Sequence, residues 1–378
     1  MKHYFIKQSL KKKLLIPVFA VMLLSVTTCG DMITDALDDS NYVYYIQAVN
    51  GVPLSGEEST IDTYRIQDNG DIKITQSISA PTSTNNIVVN PSGTKAYLLS
   101  TDLNSIPCYD IKPGGEVKFS IFNESYTQNW DLSIDKNERF AYSSHFQPLG
   151  RIIAYSIGSK GALTSIQSTI LGAVNIRDLL IHPSGKYLYC SRFILPTPAA
   201  QAGEGLWKYT INSDGTLSGG VQQGADFDSP WDMVISRSGE YLYHIESNGF
   251  IRAYSINAID GSLILIGAPI NCGATLGLAF DRNENFLFVS IYTGSIISYR
   301  INKTDGSLTA VGSTPTDAGS CPRTLVSHPT RDFLYSQQVG KIVSYRIMND
   351  GMLEKISDTP NNQVTTGGRI IINRNYKY

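Results

Sequence analysis

Short stretches in which apolar and polar residues alternate, broken by Gly, Pro, Ser, Asn and Asp, fill the chain from residue 41 to its end. Alternation with period two places successive side chains on opposite faces and predicts β-strands. One stretch recurs seven times: an aromatic inside a β-run, then a Gly-containing turn, then Leu or Val. Its tyrosines are Tyr64, Tyr109, Tyr155, Tyr209, Tyr254, Tyr299 and Tyr345, separated by 45, 46, 54, 45, 45 and 46 residues. A second marker runs in step with the first. Asn90-Pro91-Ser92-Gly93, His182-Pro183-Ser184-Gly185, Ser236-Arg237-Ser238-Gly239 and His328-Pro329-Thr330-Arg331 each sit between two apolar runs. Asp135 and Asp281 open weaker versions, and an aromatic follows each opener seven residues later: Tyr97, Tyr142, Tyr189, Tyr243, Phe288 and Tyr335. Pro and Ser-Gly at such positions make hairpin turns.

Each repeat therefore predicts four short antiparallel strands, A to D. In one copy A is Met233 to Ile235, B is Glu240 to Ile245, C is Phe250 to Ile256 and D is Leu263 to Ile266. A four-stranded unit of about 45 residues is a propeller blade. One such sheet cannot bury both faces, whereas seven in a ring bury one another's faces and leave only short edges. The predicted fold is all-β, a seven-bladed β-propeller over residues 41–378. Its ends fit ring closure. Tyr42-Val43-Tyr44-Tyr45-Ile46 matches strand B and Ile370-Ile371-Ile372-Asn373 matches strand A, so N- and C-terminal strands share the last blade. Tyr376 to Tyr378 compete for the same B position.

The first 40 residues lie outside this pattern. Lys2, Lys7 and Lys11 to Lys13 precede an apolar run, Leu14 to Val26, of signal-peptide length and short for a membrane span. The run ends at Val26-Thr27-Thr28-Cys29-Gly30, which resembles a bacterial lipobox except for Thr28, where a smaller residue is usual. Residues 1–28 are expected to be an export signal and Cys29 a lipidated N-terminus. Residues 29–40 are then a tether to the membrane of the cell envelope, on the periplasmic or surface face of the outer membrane. An ordinary cleaved signal with an incidental Cys29 is the other reading.

Charge excludes one class of partner. The chain carries a formal net charge of −2, and removing residues 1–28 takes away five Lys and no acid, leaving −7. Nucleic-acid binding needs clustered Lys and Arg, and none follows Lys13. Walker, His-Glu-x-x-His and Gly-x-Ser-x-Gly motifs are absent, and the five His show no metal-ligand spacing. No cofactor or metal is expected, and the chain is expected to be a monomer. His182 and His328 fall at turns, where a structural role is expected.

In a propeller the D-to-A and B-to-C loops gather at one mouth of the central channel. Two B-to-C loops are long here, Phe193 to Glu204 and Val49 to Ser59, which draws attention to that face. Aligning the blades lists its residues. The first position of strand A reads Asn85, Trp130, Arg177, Trp231, Leu276, Arg323 and Gly368. The next reads Asn86, Asp131, Asp178, Asp232, Gly277, Thr324 and Arg369. The end of strand B reads Gln47, Ser100, His145, Arg192, Glu246, Ile291 and Gln338. Arg offers a planar fork for carboxylate or phosphate, and Trp a flat apolar wall. Trp130, Arg177, Arg192, Trp231, Asp232, Glu246 and Arg323 are the candidate ligand-binding set. Asp131, Asp178 and Asp232 also suit a structural role, bridging blades through backbone amides.

Units such as His182-Pro183-Ser184-Gly185-Lys186-Tyr187-Leu188-Tyr189 and Asp260-Gly261-Ser262-Leu263 resemble the seven-bladed lactonase family, over essentially residues 41–378. That family includes a 6-phosphogluconolactonase and muconate-lactonising enzymes. Active members carry Pro-Arg-His at the start of one strand A and Asn-Glu at the end of the following strand B, with a further Arg and His from neighbouring blades. Glu246 matches the Glu, in the run His244-Ile245-Glu246. Trp231-Asp232 stands where Arg-His would be, and Ile291 where the later Arg would be. Pro322-Arg323 matches Pro-Arg, with Thr324 in place of His, and Arg192 follows Ser191 one blade early. With its parts scattered, the resemblance implies first a propeller that binds a small anionic or sugar-like ligand or an envelope protein. It implies second a lactone hydrolase, with Arg177 or Arg323 polarising the carbonyl and Glu246 or His145 handling protons. A scaffold for an envelope assembly is the third reading.

An exported chain can hold disulfides. Cys272 and Cys321, in the D-to-A loops of adjacent blades, are the candidate pair, and Cys108 and Cys190 are expected to be buried thiols.

Overall fold

The computed structural model describes residues 42–50, 59–81, 83–126, 128–146, 149–172, 174–193, 204–224, 230–317, 320–360 and 369–376. The expected export signal, Cys29, the tether, Gly368 and the interiors of the two long loops lie outside them.

Seven four-stranded antiparallel sheets follow the repeat. Blade I joins Ile370–Tyr376 to Tyr42–Asn50, Thr60–Ile66 and Ile72–Ser79. Blades II to VII follow in sequence as residues 84–124, 129–172, 175–223, 230–271, 275–315 and 324–360. The two chain ends close blade I: strand A, Ile370–Tyr376, pairs with strand B, Tyr42–Asn50, in register Tyr42↔Tyr376 to Ala48↔Ile370. Strand A thus extends through Tyr376, and Tyr42–Asn50 holds the B position.

The core lies between blades, not within them. Seven apolar clusters each join two neighbouring blades. One packs Tyr64 and Ile66 of blade I on Phe333 and Tyr335 of blade VII, which completes the circle. Both sequence markers are core residues. The repeated tyrosines of strand C are between 1% and 5% exposed, and the strand B aromatics are fully buried or nearly so. In blade V, strand C is Phe250–Ile256 as expected, while the outer strand D runs on to Asn271. An outer strand is half solvated, so its alternation is weak and its end is poorly marked in the sequence.

Polar contacts fix the rotation of one blade on the next. The hydroxyls of Tyr142, Tyr189 and Tyr243 donate to the carbonyls of Gly215, Gly261 and Gly306 in the following blade, at 2.9, 2.7 and 2.8 Å. Gly306 holds φ +74°, and a Cβ there would run into the Tyr241 ring. Only Gly meets both demands. At the A-to-B turns, the opener side chain caps the loop. Asp281 accepts the Phe286 amide at 2.6 Å, and Nδ1 of His328 accepts the Thr330 and Arg331 amides at 3.2 and 3.1 Å. His182 does likewise and reaches the Gly239 carbonyl at 2.9 Å. These histidines are parts of turns.

Candidate functional site

A β-bulge at the start of strand A builds the mouth. In blades II to VI the pairing of strand A with strand B shifts register once, across Asn85, Trp130, Arg177, Trp231 and Leu276. A bulge leaves one residue out of the ladder and re-aims its side chain. In blades III and IV the residue after the bulge donates its amide to a strand B serine: Asp131 to Ser144 and Asp178 to Ser191, each at 3.0 Å.

Three successive bulged residues meet. The Arg177 guanidinium lies over the Trp231 ring, Cζ 2.9 Å from its centre, and 5.4 Å from the centre of Trp130. Trp130 stacks on Phe146 at 4.6 Å and 15°, and Phe146 meets Phe193 edge-on at 5.6 Å. Phe193 also stands 5.9 Å from Arg177. A cation on a ring face is worth about 0.5–2 kcal/mol, more when desolvated. Burial, and then the charge of Arg369, bring the Arg177 pKa down to about 9. It stays cationic at neutral pH, and among the described residues it makes no hydrogen bond or ion pair. A planar fork with one face on a ring and, among the described residues, no bond at its edge has the donor geometry that a carboxylate or phosphate can use.

The layer beneath is structural. Asp131 accepts the Leu179 amide at 2.8 Å, Asp178 the Met233 amide at 2.8 Å and Asp232 the Leu278 amide at 2.9 Å. Each carboxylate thus ties its blade to the next, and Asn86 adds a bond to Asp131 at 3.0 Å. Burial, then the neighbouring Asp131 and Asp232, hold Asp178 well above the usual carboxylate range. Burial also raises Asp232, against the pull of Arg369. The three acids keep Arg369 charged against the cost of its burial. In blade VI this position is Gly277, where a Cβ would lie 2.6 Å from the Arg323 carbonyl oxygen, so a side chain is replaced by backbone approach. An axial cavity of about 250 Å³ is lined by Asp131, Asp232, Arg323 and Arg369, with Leu and Ile from strand A.

The remaining sequence candidates are apart from this stack. Glu246 is fully buried and accepts from Arg252 Nε at 2.5 Å, with His244 Nε2 at 3.3 Å. Burial and then Arg252 push His244 down to about 3, so it is neutral. His145 is buried, with Nε2 2.7 Å from Ser143 Oγ and its ring edge-on to Tyr126. Arg192 is 5% exposed, folds over Trp207 at 3.6 Å and donates to the Tyr209 hydroxyl, which takes it into the blade and away from the mouth. Cys272 and Cys321 are free thiols, so the expected bridge between them is not formed. Cys108 and Cys190 are buried free thiols. Among the described residues no three His, Cys, Asp or Glu side chains are arranged to hold a metal ion.

The structure thus brings together Trp130, Arg177 and Trp231, and separately Asp232 and Arg323. Sequence reasoning missed Phe146 and Phe193, although each follows directly on a flagged strand B end, His145 and Arg192. Alignment places Arg369 on the rim, and the structure adds the three carboxylates, Asp131, Asp178 and Asp232, whose charges act on it.

Comparison with known proteins agrees with the repeat. The family model "Lactonase, 7-bladed beta-propeller" matches residues 279–369, from strand A of blade VI to the start of the closing strand. A Bacteroides uniformis structure, provisionally named a 6-phosphogluconolactonase, superposes with TM-score 0.73 at 18% identity, over 88% of this chain and all of that one. A periplasmic gluconolactonase of Pseudomonas aeruginosa gives TM-score 0.72 at 13% identity, over 87% and 99% of the two chains. A hydrazine synthase of Kuenenia stuttgartiensis gives 0.55 at 15% identity, over 79% and 94%. Likeness at these identities fixes the fold, and the last pair shows how little it fixes about chemistry. No curated protein matches the chain.

Proposed function

We propose that this chain, a lactonase-like seven-bladed propeller, binds a small carboxylate-bearing or sugar-like ligand at the mouth of its channel and does not hydrolyse lactones. One observation carries the reading: the Arg177 guanidinium, which bonds no other side chain or backbone group among the described residues, lies beside the aromatic faces of Trp130, Trp231 and Phe193. A ligand carboxylate takes the fork, and its flat or ring-shaped body lies against an aromatic wall. Hydrolysis needs a group that can accept a proton from water within reach of the carbonyl. The family-like Glu246 has its carboxylate committed to Arg252 and His244 inside blade V, which supports binding over turnover.

The chain before the propeller supports an envelope location. A lipid on Cys29 would hold the protein by residues that join strand B of blade I at Tyr42, beside Tyr376, on the face opposite the mouth.

Two of the chain's three Trp are in the stack, so tryptophan emission is the direct readout. Gluconate, benzoate and glucono-lactone are titrated into the purified protein and into Arg177→Ala. Saturable quenching by a carboxylate that the variant loses supports the reading. No response to any of the three in the wild-type protein, or an equal response in Arg177→Ala, overturns it. Release of acid from glucono-lactone above a Glu246→Gln control would reinstate hydrolysis.

A further inference from the structure

We propose that the ring opens at one seam, between blade VII and blade I, and that this seam is a lateral door to the axial cavity. This does not depend on the reading of the mouth. Buried polar side chains without partners mark the seam. Tyr335 packs against Tyr64 and Ile66 of blade I, and Gln337, two residues further along the same strand, shares its face. Tyr335, Gln337 and Ser344 are all 0% exposed. Among the described residues the Tyr335 hydroxyl and both ends of the Gln337 amide have no hydrogen-bond partner, nor has the hydroxyl of Ser344, which pairs across the strands with Tyr335. Single hydroxyls are bare at other junctions, such as those of Thr63 and Ser298, but Gln337 is the one described amide with neither end bonded. A buried polar group left bare carries the full cost of its lost hydration, and that cost is relieved when the seam parts and water reaches it.

Ties that lock other junctions are missing here. Tyr142, Tyr189 and Tyr243 each donate to a turn glycine of the next blade. Blade I offers the equivalent glycine, Gly70, at φ +89° with the Phe333 ring where its Cβ would be, yet the Tyr335 hydroxyl makes no bond to it. The carboxylates of Asp131, Asp178 and Asp232 cross three other junctions, whereas blade VII has Thr324 at that position. Blade VI has Phe288 and Gly277 at these two positions, so it strands no hydroxyl there and brings backbone close to backbone. Outer strands do bond across the seam: Ser357 Oγ donates to Asp71 at 2.5 Å and Thr359 Oγ1 to the Ile72 carbonyl at 3.4 Å. The seam thus has a hinge at the rim and an untied edge at the axis. At that edge Thr324, Leu325 and Val326 of blade VII and Arg369, Ile370 and Ile371 of blade I line the axial cavity, so parting the blades opens it from the side.

Thiol labelling of the whole folded protein reads the opening. Ser344→Cys, a nearly isosteric change, places a thiol in the seam. Cys108 and Cys190, buried between blades II and III and between blades III and IV, are internal controls. After brief exposure to a maleimide at neutral pH, digestion and mass spectrometry give the rate at each site. The introduced thiol should react about tenfold or more faster than Cys108 and Cys190, because local opening exposes it more often. Gln337→Leu, which removes the bare amide, should slow that reaction about tenfold and leave Cys190 unchanged. Gln337→Met, with a more adaptable side chain, should do the same if the leucine packs badly. Tyr335→Phe should slow it too. A seam thiol that reacts no faster than the controls, an unchanged or faster reaction in both Gln337 variants, or a faster one in Tyr335→Phe would each overturn the proposal.

Discussion

Arg177 of blade IV lies flat on Trp231 of blade V, its Cζ 2.9 Å from the ring centre. The two residues occupy equivalent bulges in successive blades, so the contact follows from the repeat and from one irregularity within it. The planarity of the guanidinium is essential to this arrangement. Arg177→Lys keeps the charge but has neither the flat face nor the fork. It should lose about as much carboxylate affinity as Arg177→Ala, roughly tenfold or more in Kd by calorimetry. Near wild-type affinity in the lysine variant would mean that charge alone holds the ligand.

Fully buried Glu246 pairs with the partly buried Arg252 within blade V. Removing one charge takes a close partner from the other, at a cost of about 2–4 kcal/mol. Glu246→Gln should therefore lower unfolding stability by that order in denaturant titration. Glu246→Gln with Arg252→Met should cost clearly less than the two single changes added together. Additive losses would show that the pair is not coupled.

Asp178 gives a pH signature. Its folded pKa is raised above the unfolded value of about 3.9. The fold therefore favours its protonated form, and that stabilisation is complete below about pH 4 and lost as pH rises through the folded pKa. Asp178→Asn keeps an oxygen for the Met233 amide and removes the charge beside Asp131 and Asp232. It should be more stable than wild type by about 1–2 kcal/mol at pH 7, with the gap closing towards pH 4. Asp178→Ala leaves the amide bare and should be less stable at both. Thermal melts across pH 4–7 check this, and a destabilised, pH-independent Asp178→Asn would contradict it.

The hydroxyl of Tyr243 and the carbonyl of Gly306 tie blade V to blade VI. Tyr243→Phe leaves a buried carbonyl without its donor and should cost about 1–2 kcal/mol. Gly306→Ala forces a Cβ onto the Tyr241 ring at a left-handed φ and should cost more, about 2–4 kcal/mol. Equal, small losses in urea titration would mean that the blade junction yields easily.

The export reading is checked by labelling. Cells fed an alkyne-tagged fatty acid should yield tagged protein from the wild-type gene and none from Cys29→Ser. Tagging of the serine variant would place the lipid elsewhere or show it to be incidental.

Period and turn chemistry alone determined the blade count, the strand order and the shared closing blade. Those signals are local and repeated seven times, and each buried aromatic occurs at a fixed distance from its turn. The inter-blade role of Asp131, Asp178 and Asp232 was also legible, because equivalent positions in equivalent blades meet equivalent neighbours. Side-chain aim at the mouth was not. Aligned positions put Arg192 and Glu246 on the same rim as Arg177. Yet Arg192 folds over Trp207, Glu246 turns to Arg252, and a bulge throws Arg177 onto Trp231. Only the tertiary structure decided which arginine faces the mouth. A one-residue bulge reverses a side chain without changing the repeat length, and each charge settles on whichever partner its own blade or the next brings within reach.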